Sequence, residues 1–137
     1  MTIEELLRKQ ANDVGGQLRR AVEGMSDEDA DKQPIAAIMP ARQIVEHLCE
    51  AYHAVKVNAA GGKHEWGSYA SGAESWSHLL SHFETLRTTA IEAALTASNG
   101  AELVADYIIG HDNYHVGQLV AQRSTIDPTW NAHAIYG

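Results

Sequence analysis

Apolar residues in this chain recur every third or fourth position through four long stretches, and nowhere do they alternate with polar ones over the length of a strand. That period belongs to the α-helix. Each stretch therefore carries one apolar face, and four such faces can only leave water by packing on one another, which predicts an all-α four-helix bundle. The first stretch holds Ile3, Leu7, Ala11, Val14, Leu18 and Val22, opens on a Thr2/Glu5 capping-box pair and is expected to run to about Glu23. Gly15-Gly16 in its interior costs about 1 kcal/mol per residue against alanine, which predicts a close crossing or a local bend. Ser26 to Met39 reads as a connection with one turn at Ser26-Asp27-Glu28. Pro40 opens the second stretch, with Ile44, Leu48, Ala51, Tyr52 and Val55 on one face, and Gly61-Gly62 stops it. Trp76, Leu79, Leu80, Phe83, Leu86, Ala90 and Ala94 define the third, which ends near Ser98-Asn99-Gly100. The fourth follows at once, from about Ala101 to Arg123, and leaves a tail with Pro128, Trp130 and Tyr136.

The connections predict a path. The tight link between the third and fourth helices demands an antiparallel pair, whereas the 61–73 segment, with Trp66 and Tyr69, is long enough to cross the bundle. An up-down-down-up order follows, in one domain over residues 1–137, a length that buries a core without staples. The net charge of −8, from 10 basic and 18 acidic residues, repels phosphate backbones, so nucleic acid is not an expected partner. Cys49 is the only cysteine, which excludes an intrachain disulfide and a Cys-rich zinc framework. The acidic, amphipathic start and the absence of any run of about 18 apolar residues set the expectation of a cytoplasmic protein without a membrane span.

His111 and His115 break the pattern of the fourth helix. At about 100° per residue, Val104, Ile108, His111, His115, Leu119 and Gln122 share one arc, so both imidazoles should face inward. Buried imidazoles need partners, and residues four apart on one face can bring two nitrogens to one cation. In the up-down-down-up order, His47 of the second helix falls at the same level of the bundle, roughly 10–12 Å from one end at 1.5 Å per residue. A centre of His47, His111 and His115 has three protein donors, fewer than a closed structural zinc site takes, and points to chemistry on a small-molecule substrate.

Gln43-Ile44-Val45-Glu46-His47-Leu48, taken with His111-Asp112-Asn113-Tyr114-His115-Val116-Gly117-Gln118-Leu119, resembles the DinB-like family over nearly the whole chain. Met39-Pro40-Ala41-Arg42 departs from it, since many members carry tryptophan or serine just ahead of the second helix. The resemblance implies a four-helix metalloprotein bundle whose motif carries the ligand role onto His47, His111 and His115. It implies one divalent transition metal (Zn, Ni, Mn or Fe) and activities that include thiol transferases and isomerases using low-molecular-weight thiols, with some proposed hydrolases. The expected function is thus metal-dependent transfer of such a thiol to an electrophile. A hydrolase, or a non-enzymatic dimeric stress or interaction protein tied together by the metal, is the alternative; a homodimer is the expected assembly.

No side chain can be named catalytic from the sequence. Glu46, Tyr52, Asp112 and Tyr114 are candidates to stand behind the ligands, with Asp112 at the edge of its stripe. Cys49 turns away from the apolar stripe and reads as an inert thiol. Glu50-Ala51-Tyr52-His53 has the Glu-x-x-His spacing of di-metal carboxylate bundles, but Glu50 and His53 face away from the second helix's core side. His78 and His82 lie off the third helix's face and are expected in solvent, while His64 and His133, in loop and tail, have no partner identifiable from sequence.

Overall fold

Thr2 starts the first helix with a reciprocal cap: its hydroxyl accepts the Glu5 N–H at 3.1 Å while the Glu5 carboxylate accepts the Thr2 N–H at 2.7 Å. The computed structural model describes all 137 residues and contains helices and no strand. Helix α1 (Ile3–Val22) ends before Gly24, and the short α2 (Asp27–Ala30) is capped by the Ser26 hydroxyl. Helix α3 (Ala41–Ala59) follows Pro40, and α4 (Trp76–Leu95) starts where the Ser75 hydroxyl accepts the His78 N–H. Three segments then follow without a break in helical backbone: α5 (Gly100–Glu102), a π-wound segment (Leu103–Gly110) and α6 (His111–Ile126). Gly100 permits the abrupt start, because a Cβ there would fall 1.9 Å from the Ala94 carbonyl oxygen. The bounds of the long helices follow the apolar period closely; the π winding does not show in that period at all.

Helix α3 packs chiefly on α4, and α1 on α6. Specific contacts set the levels. Arg8 and Arg19 of α1 pair with Glu92 and Glu84 of α4, Arg42 stands over the Trp76 ring, and the Tyr52 and Phe83 rings lie 5.7 Å apart. Gln122 of α6 donates to the carbonyls of Ile35, Ile38 and Met39 ahead of α3. The core is built from such residues as Leu18, Ile44, Leu48, Leu79, Ile108 and Leu119, each fully buried. The tail forms a 3-10 turn (Ala132–Tyr136) against α1, where Ile135 is buried and Arg20 donates to its carbonyl at 2.5 Å. No helix is long and apolar enough to cross a membrane.

Two placements go beyond the stripe analysis. Asp112 is completely buried rather than at the edge of its stripe, and Cys49, expected as a buried or partly exposed inert thiol off the stripe, is completely buried. Helix α3 is covered on a second side by the segment crossing to α4, which Glu46 and Glu50 hold through Ser71 and Gly67, so its buried arc is wider than one face. Asp112 enters the core because a buried cation meets it there.

Candidate metal centre

His47 on α3 and His111 and His115 at the start of α6 converge through their Nε2 atoms. His111 Nε2 lies 3.0 Å from His47 Nε2 and 3.0 Å from His115 Nε2, and one donor atom from each ring lies within 4.8 Å of the others. The ring centroids of His47 stand 5.0 Å from those of both partners, nearly edge-on. His115 is buried, and His47 and His111 are half-buried.

Proton counting tests whether these residues fit a metal. Gln118 donates its amide to the Tyr114 hydroxyl at 3.2 Å, which leaves its carbonyl oxygen to accept from His115 Nδ1 at 2.8 Å. His115 Nε2 therefore carries a lone pair. If His111 Nε2 donated a proton to it, His111 would have no lone pair to offer His47; one proton cannot satisfy both contacts. A shared cation satisfies all three nitrogens, and the donor set suits a divalent transition metal. With Nε2 free to ligate, the proton of His111 sits on Nδ1, which is buried and has no hydrogen-bond partner. Burial, then the neighbouring His115 and His47, pushes His111 down to about 4. Burial also lowers His115, against the raising pull of Gln118. Both rings are held in the neutral form that ligation requires.

The candidates expected behind the ligands divide. Glu46 accepts the backbone N–H and the hydroxyl of Ser71, both at 2.6 Å, and so anchors the crossing segment rather than a ligand. Tyr114 is exposed, with its hydroxyl accepting from Gln118 and its ring edge-on to His115. Tyr52 and Asp112 belong to a network beneath it: Asp112 accepts from Tyr52 at 2.7 Å and from Arg87 Nε at 3.0 Å, while Arg87 Nη2 donates to the Ala11 carbonyl at 2.7 Å. Burial raises Asp112 to about 6 although Arg87 and Tyr52 draw it down, and it stays ionised at neutrality beside a charged Arg87. Gly15 makes room for that guanidinium, since a Cβ there would lie 2.4 Å from Arg87 Nη1; the close approach expected of the glycine pair is made by a side chain.

Sequence reasoning gave no role to Gln118, although it stands in the motif after His115, and missed Arg87, a cation on a buried helix face. His64 does have a partner: Glu50 Oε2 takes its Nε2 at 2.8 Å and the Gly67 N–H at 2.8 Å. His53 stacks on Tyr69, so the Glu50/His53 pair serves the crossing segment and holds no second metal carboxylate. His82 is half-buried on the Tyr69 hydroxyl at 2.6 Å, contrary to expectation, while His78 and His133 are exposed. Burial, with Glu46 nearby, pushes the Cys49 thiol up to about 12. A groove of about 270 Å³ reaches the edge of the centre at His111, the one histidine of the three in its lining, which also includes Ala51, Trp66, Asp106 and Tyr107.

Comparison with family models, with curated proteins and with solved structures gives no match for this chain.

Proposed function

We propose that the chain is a metal-dependent enzyme of the DinB-like type, with one divalent metal held by His47, His111 and His115, transferring a low-molecular-weight thiol to a small electrophile. The observation that carries this is the groove against His111: a three-donor centre reached from solvent suits turnover, where a metal serving only as a tie would sit in a closed core. When bound, the metal supplies Lewis acidity that lowers the pKa of a thiol or water. The chain's own groups prepare for it. Gln118 holds the tautomer of His115, and burial keeps His111 neutral. Cys49, buried with its thiol at about 12, is not the nucleophile, so the thiol comes from outside. Three imidazoles suit zinc, nickel and iron better than manganese, which favours oxygen donors. We further propose the up-down-down-up bundle, supported by α1 meeting α4 through Arg8/Glu92 and Arg19/Glu84, and by α6 meeting α3 through His111/His47 at one level and Gln122/Met39 at another.

Metal analysis of untagged protein is expected to find one equivalent, lost in a His111→Ala/His115→Ala variant. A screen of thiols with electrophiles, beside ester and amide substrates for the hydrolase reading, is expected to show turnover that chelation abolishes and added metal restores. One equivalent of metal with no turnover on any of these substrates would favour the structural role.

A further inference from the structure

The surface around the three histidines exposes aromatic rings. Trp66, Tyr107 and Tyr114 are 52 %, 47 % and 64 % exposed and are three of the seven large apolar side chains left in solvent. Such side chains gathered round one opening mark a binding surface. Tyr114 stands edge-on to His115 at 5.0 Å, and the Trp66 ring is 6.2 Å from His47. Trp66 is also held in place from both sides, because the single Glu50 oxygen that binds His64 also binds Gly67. The His64 ring meets the indole edge-on at 5.2 Å. The segment carrying Trp66 is thus anchored on both flanks of the indole, at His64 and Gly67.

Charge adds a second constraint. Asp106 is the one charged side chain in the groove. Beyond Asp106 and Tyr107 lies a second hollow, lined also by Asn58, Asn99 and Glu102. Asn58, which donates one amide N–H to the Ala54 carbonyl at 2.9 Å, lines this hollow with the two carboxylates Asp106 and Glu102. No lysine or arginine lines either hollow.

We propose that this double groove is a subsite for an amphipathic amine, its flat apolar part against Trp66 and Tyr107 and its ammonium at Asp106. Aromatic faces beside a carboxylate attract a cation that also carries apolar area. The role as a substrate subsite rests on the metal-centre reading, because the groove opens on His111; the binding itself does not.

The test is titration of the full chain, metal-free and zinc-loaded, with 2-phenylethylamine, 2-phenylethanol and 3-phenylpropionate, followed by amide and indole NMR shifts. The amine is expected to move the Trp66 indole and Tyr107 signals to saturation, the alcohol to bind about fivefold more weakly as befits one exposed ion pair, and the anion more weakly still. Asp106→Asn should bring the amine to the affinity of the alcohol, and Trp66→Ala should abolish binding of all three, with metal stoichiometry and thermal midpoint kept in both. Equal affinity for the three probes, or shifts remote from Trp66, overturns the subsite. A wild-type protein that takes no metal yet prefers the amine keeps the subsite and loses the metal centre; one that takes metal and does not discriminate loses the subsite alone.

Discussion

Gln118 decides which nitrogen of His115 is free, and its own amide is oriented by Tyr114. Replacing it with leucine removes the acceptor for Nδ1–H and is expected to weaken metal binding about 10- to 100-fold, read by competition with a chromogenic chelator, and to lower metal-free stability by about 1–3 kcal/mol because the buried His115 loses its partner. His111 carries a pH signature of its own. Its folded-state value of about 4 lies below that of the unfolded chain, near 6.5. On acidification the unfolded chain takes up a proton that the folded chain refuses, so this contribution is full above about 6.5 and is lost as pH falls through about 4. Asp112, raised to about 6, acts with the opposite sign. Denaturant unfolding of metal-free protein from neutrality to about pH 4.5 should therefore show wild type losing more stability than His111→Ala; parallel profiles would count against a depressed His111. The convergence of the three histidines was legible because imidazoles on an apolar stripe conflict with burial unless they share a partner. Trp66 was not, since a loop without a period gives no direction to its side chains.

Among the elements, α1, α3, α4 and α6 are joined by one buried polar chain from Ala11 through Arg87 and Asp112 to Tyr52. Arg87→Met leaves the Asp112 carboxylate buried without its cation and is expected to cost about 3–5 kcal/mol, with part recovered on adding Asp112→Asn; urea unfolding measures both. Equal stability of single and double variants would show that the pair does not act as a unit. Helix extents were readable from the period and, for α1, from the Thr2 cap; the hydroxyl caps of Ser26 and Ser75 came only with the structure. The Arg87 network was not readable, because a charge within an apolar stretch is assigned to solvent until its partner on another helix is known. The π winding of Leu103–Gly110 escaped for a different reason: it changes which carbonyl each N–H meets without changing composition.

For the whole molecule, a metal held between α3 and α6 by the three histidines would link binding to folding. At free metal about 100-fold above the dissociation constant, stability should rise by about 2.7 kcal/mol, seen as a higher thermal midpoint and absent in the His111→Ala/His115→Ala variant. The all-helical class was legible from the apolar period alone, whereas the groove beside the centre depends on where the crossing segment lands, a long-range property. The wider winding ahead of His111 bears on how this chain tolerates changes of length. A π turn accommodates one residue more than an α turn while leaving the helix on either side facing as before. Deleting Ala105, which is exposed within that segment, would let it relax to ordinary winding and leave His111 and His115 aimed at His47. Deleting Tyr114 instead would turn everything after it by about 100° and take His115 out of the trio. Losing one residue from Leu103–Gly110 is thus expected to leave the three imidazoles converging, whereas losing one between His111 and His115 is expected to separate them.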